Sequence, residues 1–150
     1  MDFTIVKGQS NHLHEIAILF DAYRVFYKQP SDLTESQKFL EQRFKNSDSV
    51  IFLAFSDDTP IGFTQLYKTF SSVTIEPFYI LNDLFVQPSF RGQGVGASLL
   101  KKTKEFCQQI GYKGLALETA NNNPAQKLYE KLGWKKDTDF LHYFWKAPDK

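Results

Sequence analysis

The sequence predicts an α/β fold built on a single mixed central sheet. Short apolar runs typical of strands alternate along the 150 residues with segments whose apolar side chains recur every three or four positions, as on one face of a helix. A polar turn between two of the strands favours antiparallel pairing, whereas a later strand–helix–strand unit implies parallel strands joined by a right-handed crossover. The predicted element order is β-α-α-β-β-β-α-β-α-β-β.

The N-terminal part of the chain is predicted to form one strand and two helices. The first strand covers about 3–6, and the first helix covers about 11–27 and stops before Pro30, which cannot continue a helix. The second helix is predicted to open at Thr34-x-x-Gln37, which resembles a capping box, and to end near Asn46.

The rest of the chain supplies the hairpin and the crossover unit. In chain order the predicted elements are strands at 50–55, 61–70 and 78–86, a helix at 95–110, a strand at 114–119, a helix at 124–132, and closing strands near Trp134 and at 140–145. Since helix 95–110 separates strands 78–86 and 114–119, we expect those two strands to be parallel.

The composition excludes several classes of protein. Fifteen Phe, seven Tyr and two Trp are too many for a disordered chain, and a net charge of +1 gives no basic field for a general nucleic-acid or membrane binder. One cysteine and three histidines provide neither a disulfide framework nor a known metal spacing. With no composition shift, targeting segment or membrane span visible, we expect one cytoplasmic domain over 1–150 without a metal.

A glycine-rich loop precedes the helix predicted at 95–110. It carries Arg91 and alternating glycines at positions 92, 94 and 96, with Gln93 and Val95 between them. Free backbone N–H groups and the helix dipole favour an anion at such a place, so the loop predicts a phosphate site. A dinucleotide fingerprint would need glycine or alanine where Leu99 stands, and Ala97 rules out a P-loop. The alternative is a turn whose glycines serve only tight packing.

The segment Arg91-x-x-Gly94-x-Gly96 resembles the Q/R-x-x-G-x-G/A signature of the GNAT family of N-acetyltransferases. Leu84-Phe85-Val86, Asn122-x-Pro124-Ala125 and the run from Leu128 to Trp134 resemble the surrounding family pattern, most closely in the branch that acetylates histones, polyamines and amino acids. The resemblance implies acetyl-CoA as the donor, with its pyrophosphate on residues 91–96. It also implies that the pantetheine lies where strands 78–86 and 114–119 splay apart. Further cofactor contacts are implied at Phe85, Val86, Asn122 and Tyr129.

The reaction that the resemblance implies is direct attack of an amine on the acetyl group. Since a lysine-like amine has a pKa near 10.4, presenting it neutral at pH 7 costs about 4.6 kcal/mol, and a carboxylate or a water chain should take its proton. Asp83 and Glu118 are the candidate acceptors, although each is equally well explained as a structural or solvent-facing residue. By family position a backbone N–H at Val86 or next to it stabilises the developing negative charge, and Tyr129 protonates the departing thiolate. Tyr129 as a packing residue is the alternative.

The resemblance places the amine acceptor against the end of the first helix. Tyr23, Arg24 and Tyr27, together with Asp83, are the predicted substrate-binding residues, and the alternative for the aromatic ones is a packed core. Polyamine-specific relatives tend to carry paired carboxylates where this chain has Asn82-Asp83, which weakens a polyamine assignment.

We therefore expect an acetyl-CoA-dependent N-acetyltransferase that modifies a primary amine of a small molecule such as an amino acid or polyamine. The alternatives are a protein lysine or N-terminal acetyltransferase and a non-catalytic acyl-CoA-binding module. The apolar segment 140–145 suggests a central strand or one that completes a homodimer, as in many family members.

Overall fold

The computed structural model of the chain describes residues 2–149. These residues form two compact units, one ending at Glu118 and the other beginning at Thr119. The first unit contains a five-stranded sheet and three α-helices, and the second contains one α-helix. No helix among residues 2–149 is both long and apolar enough to cross a membrane.

The sheet is mixed, as predicted. Its strands are β1 (Thr4–Lys7), β2 (Ser49–Ser56), β3 (Thr59–Ser71), β4 (Glu76–Val86) and β5 (Leu115–Ala116), and the helices are α1 (Leu13–Phe26), α2 (Leu33–Asn46), α3 (Val95–Gln109) and α4 (Ala125–Lys131). The spatial order β1-β2-β3-β4-β5 is antiparallel from β1 to β4 and parallel between β4 and β5. The α/β fold class and the crossover through α3 are therefore confirmed.

Helices α1 and α2 cover one face of the sheet, and α3 covers the other. Because successive side chains of a strand point to opposite faces, neighbours in β2 reach different layers. Leu53 is buried in one cluster with Leu19 of α1 and Leu40 of α2. Phe52 instead packs on Phe106 of α3, with ring centroids 5.5 Å apart.

Strands β4 and β5 are paired at one end only. Tyr79 pairs with Leu115 and Ile80 pairs with Ala116, after which β4 continues alone on this side as far as Val86. The parallel pair predicted at 78–86 and 114–119 is thus confirmed, although β5 is shorter than predicted. The part of β4 beyond its pairing with β5 holds Asp83 and leads into the glycine loop.

The two predicted closing strands are wrong. Residues 134–149 contain no strand, and Phe140 and Trp145 are each 79% exposed. Aromatic and alternating residues give a segment high strand propensity, but a strand forms only where a neighbouring strand edge completes its hydrogen bonds. Local pattern alone could not show that this edge is missing for 140–145 in the described chain.

The predicted start of α2 is also wrong. The N-cap is Asp32, whose Oδ1 accepts a hydrogen bond from the Glu35 N–H at 3.1 Å, so the helix begins at Leu33 rather than at a Thr34–Gln37 box. Asp32 is itself held by its N–H, which donates to Asp21 Oδ1 of α1 at 2.7 Å. The local sequence offers both Asp32 and Thr34 as N-caps, and the contact with Asp21 of α1 favours Asp32.

Candidate active site

The glycine loop has the backbone shape that its sequence predicts. After β4 the chain makes one turn of 3-10 helix at Pro88–Phe90 and then reaches α3 through Gly92 and Gly94. Both glycines have positive φ angles, +75° and +85°, in the left-handed region that side chains disfavour. A Cβ added at either position would meet nothing within 4 Å. The backbone angle, rather than crowding by protein atoms, therefore requires glycine, and the space beside the loop is open.

The N-terminus of α3 offers unpaired donors to an anion. Gly94 is the N-cap and provides no side-chain cap, and the first turn of the helix contains no acidic residue. The first bond of the helical ladder runs from the Ser98 N–H to Gly94 O at 3.0 Å. The N–H groups of Val95, Gly96 and Ala97 consequently have no partner within the helix. Together with the helix dipole, they form a site suited to a phosphate or pyrophosphate.

Arg91 connects the glycine loop to β4 and to α1. Its Nε donates to the carbonyl of Val86 at 2.8 Å, and its guanidinium lies 5.5 Å from the ring centroids of both Phe26 and Phe85. The protein thus engages Nε and packs two aromatic rings near the guanidinium, so the predicted contact with a phosphate falls to the two Nη groups.

Asp83 is a buried carboxylate held by two amides. It is 2% exposed, its Oδ2 accepts from Gln65 Nε2 at 2.6 Å, and its Oδ1 accepts from Asn82 Nδ2 at 2.7 Å. Burial raises the pKa of the Asp83 carboxyl, and the hydrogen bonds from Asn82 and Gln65 offset only part of that rise. A carboxylate with a raised pKa is a stronger base than an exposed one, which suits a proton acceptor.

A β-bulge carries this part of β4. Gln65 of β3 pairs with Asp83 and the next residue, Leu66, pairs with Leu81, so Asn82 is an extra residue in β4. Bulges re-aim side chains and often lie beside active sites. The Asn82 carbonyl accepts a hydrogen bond from the Tyr23 hydroxyl at 3.2 Å, which ties the bulge to α1.

Sequence reasoning missed Gln65. A lone glutamine in an apolar strand has no motif around it, and only the register of β3 on β4 places its amide opposite Asp83. The length of the polar turn between β3 and β4 could have suggested a hairpin, but the bulge at Asn82 changes the register by one residue.

The aromatic residues at the end of α1 lie on the same side of the sheet as Asp83. The Tyr23 ring centroid is 5.9 Å from that of Phe63 and 6.3 Å from that of Phe85, and the Tyr27 ring lies 5.0 Å from Tyr23. Phe26 is 55% exposed and Tyr27 is 46% exposed. Tyr23 is therefore part of the packed layer, whereas Phe26 and Tyr27 present an aromatic surface to solvent.

Arg24 is held at the connection between α1 and α2. Its Nη1 donates to Pro30 O at 3.3 Å and lies 3.9 Å from Asp21 Oδ1. Burial of Asp21 by itself raises its pKa, but hydrogen bonds from Ser31, the Asp32 N–H and Ser36, together with the Arg24 charge, leave that pKa below its ordinary value.

The remaining predicted site residues lie after β5. Glu118 is exposed two residues beyond the strand, and Asn122 is exposed in the turn before α4. Tyr129 belongs to α4, where its ring centroid is 6.0 Å from that of Trp134 and its carbonyl accepts from the Trp134 N–H at 3.0 Å. The roles predicted for these three residues stay predictions.

The family follows from comparison with known proteins. Residues 14–134 match the model of the acetyltransferase (GNAT) family, a span that contains the glycine loop, Asp83 and Tyr129. The chain belongs to the GNAT family. GNAT proteins use acetyl-CoA and an acceptor, and the chain is accordingly an N-acetyltransferase. Among residues 2–149, no group of three His, Cys, Asp or Glu side chains is arranged to hold a metal ion.

Similar proteins cover most of the chain. An uncharacterized N-acetyltransferase YhfO of Bacillus subtilis strain 168 is 48% identical over 147 residues, which are 97% of this chain and 99% of that protein. A thialysine N-epsilon-acetyltransferase of Caenorhabditis elegans is 24% identical over 134 residues, covering 89% of this chain and 83% of that protein. The crystal structure of a probable acetyltransferase superposes with a TM-score of 0.90 at 37% identity, covering 98% of this GNAT chain and 99% of the other.

Proposed function

We propose that this GNAT protein transfers the acetyl group of acetyl-CoA to a primary amine of a small molecule, such as an amino acid, by direct attack. One observation carries the proposal. The part of β4 that extends beyond its pairing with β5 holds the buried base Asp83, and the glycine loop that follows leads to the anion site at the start of α3. Two residues separate Asp83 from Val86 at the end of the strand, so one short segment links the groups that receive the amine and the donor.

The residues at the start of α3 fit the acetyl-CoA pyrophosphate. The N–H groups of Val95, Gly96 and Ala97 supply donors, and Gly92 and Gly94 give the loop its left-handed turns. The open space beside both glycines leaves room for a ligand. Acetyl-CoA supplies an acetyl group activated as a thioester. Within the loop, Gln93 Nε2 donates to Ser89 O at 3.4 Å.

Asp83 takes the proton that the attacking amine must lose. A buried carboxylate is disfavoured when it has no counter-charge, and a cationic amine supplies that charge. Once the amine is bound, the carboxylate oxygens accept its proton. The raised pKa of Asp83 reduces the difference between its own pKa and that of the amine. Glu118 is the alternative acceptor. By family position Tyr129 protonates the departing sulfur, and the Val86 N–H faces the oxygen on which charge develops.

The acceptor is proposed to lie against the end of α1. Tyr27 and Phe26 offer an exposed aromatic surface, Tyr23 positions the bulge at Asn82, and Arg24 fixes the chain that follows. One carboxylate, with the neutral Asn82 beside it, suits one cationic amine better than an extended polyamine. The Caenorhabditis elegans relative, named for a small amino acid, supports the same class.

The chain is proposed to act as one domain and as a homodimer. The family match crosses from one compact unit into the other, which supports a single functional domain over 1–150. The apolar segment 140–145 is exposed in the described chain, and a patch of that kind favours burial against a partner. Light scattering should give twice the mass of one chain, and the mass of a single chain at every concentration would contradict the dimer.

Release of CoA from acetyl-CoA in the presence of separate amine pools tests the function. The pools are free amino acids, polyamines, aminoglycosides and basic peptides. Release that depends on the amino-acid pool is expected, and mass spectrometry of the product should show one added acetyl group. Release with the peptide pool alone would favour a protein acetyltransferase instead. Tight acetyl-CoA binding with silence in every pool would favour the non-catalytic acyl-CoA-binding module.

A further inference from the structure

We propose that Gln65 is a positioning residue for the proposed proton acceptor: its side-chain amide fixes the Asp83 carboxylate and sets how readily that group takes a proton. The inference rests on the proposed function and adds to it a residue that lies outside every motif of the sequence. Gln65 is in β3, directly opposite Asp83 in the sheet.

The two amides leave the carboxylate little freedom. Gln65 is fully buried, and its Nε2 lies 2.6 Å from Asp83 Oδ2, while Asn82 Nδ2 lies 2.7 Å from Oδ1. Each oxygen therefore has one amide donor. Asn82 is exposed and on the same strand as Asp83, whereas Gln65 reaches across from the buried neighbouring strand. The cross-strand contact is the one that the fold itself holds rigid.

The Oε1 atom of Gln65 shows that packing alone does not account for a glutamine at this position. Gln65 Oε1 is buried and has no hydrogen-bond partner among the described residues. A buried acceptor without a partner carries a free-energy cost, which an apolar side chain of the same size would avoid. What such a side chain could not supply is the donor to Asp83. The contact of Gln65 Nε2 with the carboxylate therefore offsets the cost of leaving Gln65 Oε1 without a partner.

A glutamine amide also suits a partner whose protonation changes during turnover. The amide N–H donates to a carboxylate, and after rotation of the amide its oxygen accepts from a carboxylic acid. A lysine or arginine in this place would hold Asp83 charged, and a glutamate would repel its charged form. Glutamine can therefore hold Asp83 both before and after it takes a proton.

Other ionisable groups lie around this pair. Tyr67 follows two residues after Gln65 in β3, and its pKa is raised first by burial and then by the charge of Asp83. The charge of Arg43 in α2 lowers the pKa of Tyr67, and the charge of Asp48 raises it. From α1, Tyr23 bonds to the carbonyl of Asn82. Gln65 and Asn82 are the groups whose hydrogen bonds lower the pKa of the Asp83 carboxyl itself.

The test compares Gln65→Met with Thr64→Val. Methionine keeps the length of glutamine and removes the donor. Thr64 is the adjacent buried residue of β3, and its hydroxyl donates to the main-chain carbonyl of Asp83 at 2.8 Å rather than to the carboxylate. Both variants lose one buried hydrogen bond between the same two strands. Only Gln65→Met should change the titration of Asp83.

Two readouts are measured on the full chain: ¹³C NMR titration of the Asp83 carboxyl, assigned with Asp83→Asn, and the pH profile of kcat/KM with the active amine. Since the amide stabilises the charged form, Gln65→Met should move the titration midpoint and the acidic limb up by about one pH unit. The KM for acetyl-CoA should stay within about twofold, and Thr64→Val should move neither midpoint nor limb. If Gln65→Met does not fold, Gln65→Glu should give a larger upward shift, because two carboxylates then share the site.

Two outcomes would overturn the inference: an unchanged midpoint in Gln65→Met, or an equal shift in Thr64→Val. The NMR titration needs no turnover, so it separates this failure from failure of the proposed function. Silence with every amine pool would overturn the proposed function and the catalytic part of the inference. The titration would still decide whether Gln65 controls the charge of Asp83.

Discussion

In the proposed reaction, Tyr129 is the residue that donates a proton to the departing sulfur of CoA. Its ring packs against Trp134 within the second unit, and this contact accounts for its partial burial without any catalytic role. Phenylalanine keeps that packing and removes only the hydroxyl. The variant therefore separates the packing explanation from the proton-donor explanation.

Tyr129→Phe should lower kcat by about 100-fold, the usual size of a lost general acid. The dissociation constant of acetyl-CoA should change by less than about threefold, because the hydroxyl is needed at the leaving sulfur rather than for binding. Steady-state kinetics and calorimetric titration with acetyl-CoA in the absence of an amine measure the two quantities. Turnover equal to that of the original protein would remove the donor role and leave Tyr129 as a packing residue.

The glycine loop with the start of α3 is the element on which donor binding depends. Its two left-handed residues have open space around them, so a substitution acts through the backbone rather than through a clash. Gly96, by contrast, lies inside the first turn of the helix. A substitution at Gly94 therefore tests the need for the left-handed loop backbone, whereas a substitution at Gly96 tests whether a ligand approaches the helix closely.

Gly94→Ala should destabilise the fold by about 1–2 kcal/mol, the cost of a left-handed alanine, and should weaken acetyl-CoA binding because the donors of α3 lose their arrangement. Gly96→Ala should leave stability unchanged or slightly raised, because alanine favours a helix. Chemical denaturation and calorimetric titration check both. Normal acetyl-CoA affinity in Gly94→Ala would show that the loop does not bind the donor.

The elements were predictable from sequence where the deciding interaction is local. The change from strand-like to helical spacing of apolar residues at Val95 is a local signal, and so are the glycines and the hairpin turn. The strands and helices predicted from these signals are found in the structure. The start of α2 depends on Asp21 in another helix, and the placement of Gln65 depends on a bulge in another strand. Segment 140–145 has strand propensity and no partner strand among the described residues. These three features follow from tertiary contacts that no local pattern contains.

For the folded chain as a whole, the buried Asp83 and the partly buried Asp21 should act on stability with opposite signs as the pH changes. The pKa of Asp83 is raised, so its ionisation weakens the folded state as the pH rises from the unfolded value near 3.9 through the folded value. The pKa of Asp21 is lowered, so its stabilisation is present above the unfolded value and is lost as the pH falls through the folded one.

The free energy of unfolding, measured by urea denaturation across the acidic range, checks these signs. Relative to the original protein, Asp83→Asn should gain stability as the pH rises and then level off. Asp21→Asn should lose relative stability as the pH rises toward about 5. Equal pH dependence in both variants would show that the environments of the two carboxylates do not differ as described.

In the proposed reaction an amine is acetylated with Asp83 as its proton acceptor. The most direct test is the initial rate of CoA release with the active amine, compared between the original protein, Asp83→Asn and Glu118→Gln. We expect Asp83→Asn to lose at least about 100-fold in kcat/KM for the amine with acetyl-CoA binding retained, and Glu118→Gln to stay within about threefold. Full activity in Asp83→Asn, or a large loss confined to Glu118→Gln, would contradict the claim.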